Sequence, residues 1–178
     1  MTGAWIFVCG PSGAGKDSVI EAARQIMQPQ QAVIFARRMV TRAAQPGSDH
    51  DALTEDRFQE LHSSGGFCWH WQAHGYSYGV ARHYEGDVLA GRRVLVNGSR
   101  EHVLALPPSP NIRVVEVTAD PYQVAHRLTQ RGRDSSNAVA DRLARNSSMA
   151  RLMADVVIVN DAALAQAGQR LADYLRTC

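Results

Sequence analysis

Two hydrophobic patterns alternate along this chain. Short continuous apolar runs, of the kind buried on both faces of a sheet, occur at Ile6 to Cys9, Ala32 to Phe35, Val94-Leu95-Val96, Ile112 to Val117 and Val156-Val157-Ile158-Val159. Between them the apolar positions take helical spacing. Ser18 to Met27 carries Val19, Ile20 and Ile26 on its apolar side, Asp120-Pro121 opens a helix through Gln130, and Ala140 to Met149 is helical. Asp161 is the expected cap of a last helix with Leu164, Leu171 and Leu175 inward. Five apolar strands joined by helical crossovers predict an α/β fold, a five-stranded parallel sheet flanked by helices.

A stretch of different character interrupts this rhythm. The second strand runs on into Arg37-Arg38-Met39-Val40-Thr41-Arg42, and residues 43–53 are polar and turn-rich, which predicts a loop. Thr54 is placed to cap a helix bearing Phe58 and Leu61 that Gly65-Gly66 ends. Phe67 to Tyr78 is aromatic and alternating, as short strands are, and residues 81–91 read as a short helix ending at Gly91. The chain is thus expected to be a single domain with a core of residues 1–36, 93–130 and 149–178. The insertion at about 37–92 is a candidate substrate module, and 131–148 a candidate lid. Trp69 and Trp71 either stack on a substrate ring or fill the module's own interior.

The first strand leads into Gly10-Pro11-Ser12-Gly13-Ala14-Gly15-Lys16-Asp17, and a helix follows. This is the phosphate-binding loop Gly-x-x-x-x-Gly-Lys-[Ser/Thr] in its required strand–helix setting, with Asp17 in place of the hydroxyl residue. Its glycines let consecutive N–H groups turn toward a phosphate, and the helix N-terminus adds partial positive charge. Lys16 is then aimed at the β- and γ-phosphates of a nucleoside triphosphate. Asp17 either binds Mg²⁺, with Ser18 as the alternative oxygen ligand, or caps the helix start.

Composition narrows the partners. At 178 residues the net charge is only +2, too weak to argue for nucleic acid or an anionic membrane, and no apolar stretch is long enough to span a bilayer. Three cysteines without short spacing suggest neither a disulfide framework nor a zinc site, and fit a reducing cytoplasm. The apolar N-terminal run lacks a basic leader and reads as a core strand rather than a signal peptide.

Lys16 is the only lysine among 19 basic residues, so every other cation is an arginine. Either phosphate recognition or a GC-rich genome produces that skew, and only position separates the two. Arg37, Arg38 and Arg42 follow the second strand, beyond whose carboxyl end ligands gather, and suit an anionic second substrate. Arg127, Arg131, Arg133 and Arg142 surround a helix–loop–helix, where they either close over a triphosphate or lace a surface helix with salt bridges. The seven histidines lack metal-ligand spacing and are assigned mostly to surface or packing roles.

The chain resembles the guanylate kinase family over nearly its whole length. The resemblance rests on the phosphate loop, Thr41-Arg42, Gly75-Tyr76-Ser77-Tyr78-Gly79, Arg127-Leu128 with Arg131-Gly132-x-Asp134-Ser135, Arg142-Leu143, and Val157-Ile158-Val159-Asn160-Asp161. It implies a P-loop kinase fold with an acceptor-binding insertion and an arginine-bearing lid. By it, Arg42 and Tyr78 hold an acceptor phosphate, Arg127, Arg131 and Arg142 serve the donor and the transferring phosphoryl group, and Asn160 lies near the donor base. Where guanylate kinases read the base or bind its phosphate, this chain departs: Trp69 stands for a glutamate, His50 for a tyrosine, Gln45 for an arginine and Arg37 for a serine. A site without its acceptor for the guanine N–H groups loses that specificity.

The chain is more closely similar to the ribose 1,5-bisphosphate phosphokinase family of phosphonate catabolism. That resemblance is carried by Gly15-Lys16-Asp17-Ser18, Val96-Asn97-Gly98-Ser99-Arg100 and Arg131-Gly132-Arg133. It implies γ-phosphoryl transfer from ATP to the 1-phosphate of ribose 1,5-bisphosphate, with Mg²⁺ as cofactor. One acceptor phosphate is then expected at Arg42 and Tyr78, the other at Arg37 or Arg38 with Arg100, and the ribose hydroxyls at Asn97 and Ser99. The rivals are a guanylate kinase, a small-sugar kinase, which needs a base the chain does not offer, and a non-catalytic binding module, which typically loses the lysine or arginines kept here.

Overall fold

The structure, a computed structural model, describes residues 3–27, 32–44, 48–124 and 152–178. In chain order the elements are β1 (Ala4–Cys9), α1 (Lys16–Met27), β2 (Val33–Phe35), β3 (Arg38–Val40), β4 (His50–Ala52), α2 (Glu55–Ser63), β5 (Phe67–Ala73), β6 (Tyr76–Ala81), α3 (Tyr84–Leu89), β7 (Arg93–Asn97), α4 (Arg100–Ala105), β8 (Ile112–Thr118), β9 (Val156–Val159) and α5 (Leu164–Thr177). Each of the five apolar runs becomes a strand of one parallel sheet, ordered β2-β7-β1-β8-β9. The chain divides into two compact units, residues 1–7 with 29–113 and residues 8–28 with 114–178.

In the first unit, β2 runs parallel to β7, pairing Val33 with Arg93 and Phe35 with Leu95. A second sheet of order β4-β3-β6-β5 forms the insertion. β5 and β6 are an antiparallel hairpin closed by His74 and Gly75, both at positive φ (53° and 76°), the backbone hand that matches strand twist in a two-residue turn. Its register sets Trp71 opposite Tyr78, and β6 in turn pairs antiparallel with β3, Val40 opposite Tyr78. Thr54 caps α2 as expected, its Oγ1 accepting from the Arg57 N–H at 3.2 Å, and Phe58 is buried against Phe67 at 4.8 Å between ring centres.

Two expectations fail here. Residues 38–40 are not a continuation of the second strand but a separate strand in the second sheet, and 50–52 is a strand rather than loop. β4 is only His50-Asp51-Ala52, with no strand propensity of its own; parallel pairing with β3, Arg38 beside His50 and Val40 beside Ala52, makes it extended. Helix α4 also went unforeseen, since none of its residues is buried and no apolar stripe announces it.

In the second unit, α1 buries Val19, Ile20, Ala23 and Met27 and packs on α5, with Ile26 only half-buried. The approach is close: a Cβ on Gly168 would stand 2.5 Å from that of Ala22. β8 and β9 are parallel, Val115 beside Val156. Asp120 caps the helical turn at 121–124 as expected, its Oδ1 accepting from the Tyr122 N–H at 2.9 Å. Asp161 does not cap the last helix, which starts later, after Ala163; its Oδ1 instead accepts from the Asp120 N–H at 2.6 Å. Leu171 and Leu175 are buried, but Leu164, at the first helical position and before the first buried one, is exposed.

Candidate functional site

The second unit holds the phosphate loop between β1 and α1. Gly10, Gly13 and Gly15 take φ of 144°, 88° and 87°, angles that side chains with a Cβ rarely adopt. At Gly10 the space is closed as well, since a Cβ there would meet the Val117 carbonyl oxygen at 1.9 Å. The loop is braced from β9's end. Buried Asn160 donates from Nδ2 to the Ala14 carbonyl at 2.8 Å. Lys16 Nζ donates to the Gly10 and Pro11 carbonyls at 3.0 and 3.3 Å, so its ammonium already sits over the loop. Asp17 and Ser18 are exposed on the first turn of α1. Oxygen donors of this kind suit Mg²⁺, and a carboxylate there is also favoured by the helix dipole, so both readings of Asp17 fit.

The first unit gathers the arginines that follow the second strand, and it separates them. Arg37 pairs with Asp51, Nη2 and Nε both donating to Oδ1 at 2.8 and 3.0 Å, with the two side chains 48% and 53% exposed. Arg38 is buried, and its Nη2 donates to both carboxylate oxygens of Asp49 at 2.9 and 3.0 Å. Asn97 Nδ2 donates to Asp49 Oδ2 at 3.0 Å. Burial alone would raise the Asp49 carboxyl, but the Arg38 charge and the Asn97 and Arg38 hydrogen bonds outweigh it and hold the group below its usual range. Arg42 is exposed, its guanidinium 5.8 Å from the Tyr76 ring centre.

The energetic difference between these pairs decides what each arginine can do. An exposed pair is worth about 0–1 kcal/mol, so Arg37 is readily redirected to an incoming anion. Removing one partner of a buried pair costs about 3–5 kcal/mol, so Arg38 is committed to Asp49. Sequence reasoning took Asp49 for a turn residue and did not single out Asp51. The usable signal was the alternating Asp49-His50-Asp51 facing Arg37-Arg38, opposite charges on what proved to be neighbouring strands.

Beside this cluster lies an aromatic stack. Arg38 lies 5.7 Å from the Tyr78 ring centre, Tyr78 stacks on Trp71 (5.4 Å, 4°) and Trp71 on His102 (4.8 Å, 21°). Trp69 packs edge-on against Trp5 and Phe7 at 5.6 and 5.5 Å. The tryptophans therefore pack within the unit. Burial, with a smaller contribution from His70, pushes His102 down to about 4, which leaves it neutral at pH 7. Ser99 precedes the first residue of α4, Arg100, and both are half-buried. The lid positions Arg127, Arg131, Arg133 and Arg142, and Gln45, lie outside the described residues. Among the described residues no three His, Cys, Asp or Glu side chains cluster as a metal site, and no helix is long and apolar enough to cross a membrane.

No family model matches the chain. Individual relatives do. It is 41% identical over 177 residues to a ribose 1,5-bisphosphate phosphokinase PhnN of Chromobacterium violaceum, covering 98% of this chain and 95% of the relative. The chain belongs to the ribose 1,5-bisphosphate phosphokinase family. A family member from Methylobacterium radiotolerans is 37% identical with each chain covered completely. A bifunctional ribose 1,5-bisphosphokinase-thymidine phosphorylase of Azorhizobium caulinodans is 44% identical over 146 residues, but the chain spans only 21% of that protein's length. Among solved structures, the guanylate kinase of Anaplasma phagocytophilum matches with a TM-score of 0.69 at 19% identity, covering 98% of this chain and 85% of that one, which shows the fold. The family is the one to which the loop's Asp17, the Asn97-Gly98-Ser99-Arg100 run and Arg131-Gly132-Arg133 point, and the fold is the expected α/β P-loop kinase fold.

Proposed function

We propose that this protein transfers the γ-phosphoryl group of ATP to the 1-phosphate of ribose 1,5-bisphosphate, giving 5-phosphoribosyl 1-diphosphate and ADP. The observation that carries the reading is identity above one third, end to end, with relatives named for that substrate. The chemistry is consistent with the residues. The accepting oxygen is already anionic, so no base is needed, and the work is positioning and charge neutralisation. Lys16 and the loop N–H groups of residues 10–15 hold the donor phosphates, with Asn160 fixing the loop from behind. Mg²⁺, held by Asp17 or Ser18, would neutralise charge on the β- and γ-oxygens. Arg37 and Arg42, the exposed arginines of the run that follows β2, take the acceptor phosphates, assisted by Tyr78 and Arg100. Asn97 and Ser99 take ribose hydroxyls. Arg131 and Arg142, in a lid at about 131–148, stabilise the transferring group, and Arg127 binds ATP. The setting is the cytoplasm, where ATP is available.

The test is ADP release with ribose 1,5-bisphosphate, GMP and gluconate offered in parallel. Turnover of the bisphosphate alone is expected; turnover of GMP alone would overturn the reading, and no turnover at all would favour a binding module. Asp17→Ala is expected to raise the Mg²⁺ concentration for half-maximal rate, and an unchanged dependence removes Asp17 as the metal ligand.

A further inference from the structure

We infer that Asp49, Arg38, His50 and Asn97 form a charge-neutral subsite that receives hydroxyl groups of the sugar acceptor rather than a phosphate, with Asp49 as its positioning residue. The inference rests on the sugar-phosphate reading above. The four side chains come from β3, the approach to β4, β4 itself and β7, and Arg38 and His50 are register partners on neighbouring strands. The guanidinium and the carboxylate cancel, so the cluster attracts no anion by net charge.

Arg38 Nε and His50 Nδ1 lack a hydrogen-bond partner among the described residues, on side chains exposed by only 8% and 2% of their residues' surface. A buried polar group left unpaired is destabilising, and such groups call for an occupant. The chemistry of the two vacant positions is complementary. Arg38 Nε–H is a donor. His50 Nε2 lies 3.3 Å from the Arg42 carbonyl oxygen, to which it donates in the Nε2–H tautomer, and this makes Nδ1 an acceptor. A hydroxyl both donates and accepts and so answers both positions. A phosphate dianion only accepts, leaves Nδ1 unanswered, and meets the Asp49 carboxylate, whose Oδ1 is 3.9 Å from that same Nδ1. Asp49 does two things here: it anchors Arg38 and Asn97 in one geometry, and it cancels the charge that would otherwise draw phosphate to Arg38.

The test uses the full chain as wild type, Asp49→Asn and Asp49→Ala. Steady-state ADP release is measured with ribose 1,5-bisphosphate and with its 2-deoxy and 3-deoxy analogues. The wild type is expected to favour the ribose acceptor over at least one deoxy analogue by about tenfold or more in kcat/KM, since a site built for a hydroxyl rejects its absence. In Asp49→Ala that preference should fall to within about threefold, with the KM for ATP unchanged within about twofold. In the second measurement, thermal shift with inorganic phosphate, Asp49→Asn leaves the Arg38 cation uncancelled, and apparent phosphate affinity is expected to rise about fivefold or more over wild type. This arm needs no activity and tolerates a poorly folding Asp49→Ala. Equal losses on all acceptors, or phosphate affinity unchanged in Asp49→Asn, overturn the subsite. A wild type that turns over none of the sugars while the phosphate response still rises in Asp49→Asn overturns the proposed activity and leaves the neutral cluster standing.

Discussion

The phosphate loop is one uninterrupted run, Gly10 to Asp17, whereas the arginine–carboxylate cluster is collected from β3, β4, the residues leading into them, and β7. In the loop, function is carried by backbone: three positive-φ glycines, N–H groups at a helix start, and a single lysine bonded to the loop's own carbonyls. The cluster instead offers side chains, whose meaning depends on which neighbour pairing supplies. Arg37 and Arg38 are adjacent in sequence and each makes two hydrogen bonds to a carboxylate, yet the first pair is exposed and the second largely buried. Identity of residue type is therefore enough to recognise the first site and insufficient to assign roles in the second.

Lys16→Ala should separate the two sites most sharply. It removes the one cation of the loop, and kcat is expected to fall about 10²–10³-fold with acceptor KM unchanged, read from steady-state ADP release. A change confined to acceptor KM would break the division of labour. Arg42→Ala is expected to raise acceptor KM about tenfold, the size of one lost charge-assisted hydrogen bond, while ATP KM holds. If Arg42→Ala left acceptor KM untouched, the exposed arginine would not be the phosphate anchor.

The smallest effect concerns His102, in the aromatic stack. Its folded value of about 4 lies below the ordinary 6.5. Between those values the unfolded chain takes up a proton that the folded chain refuses, so its contribution to stability is full above about 6.5 and is lost as pH falls toward 4. His102→Phe, which keeps a ring between Trp71 and Trp69, should flatten the acid side of a melting-temperature profile by a few degrees. An unchanged profile would place the acid sensitivity elsewhere.

The parallel sheet was legible because its strands are continuous apolar runs, a signal that needs no knowledge of neighbours. Thr54 and Asp120 were legible as caps for the same reason, since capping is local. Legibility ended where pairing is long-range. His50-Asp51-Ala52 has no strand signature and is extended only because β3 lies beside it. Asp49 looked like a turn residue until Arg38, 11 positions away, and Asn97, 48 positions away, were found on its carboxylate. Asp161 had the residue type of a cap, but the helix it was expected to start begins after Ala163, and its carboxylate went to the Asp120 N–H instead.

The central claim concerns which atom accepts the phosphoryl group, and phosphorus-31 NMR of the product reads it directly. With ATP and ribose 1,5-bisphosphate, two mutually coupled signals of a new sugar diphosphate are expected, beside an unchanged 5-phosphate signal and an equal amount of ADP. A new uncoupled phosphate ester, marking transfer to a hydroxyl, or ADP formed with free phosphate and no sugar product, would contradict it.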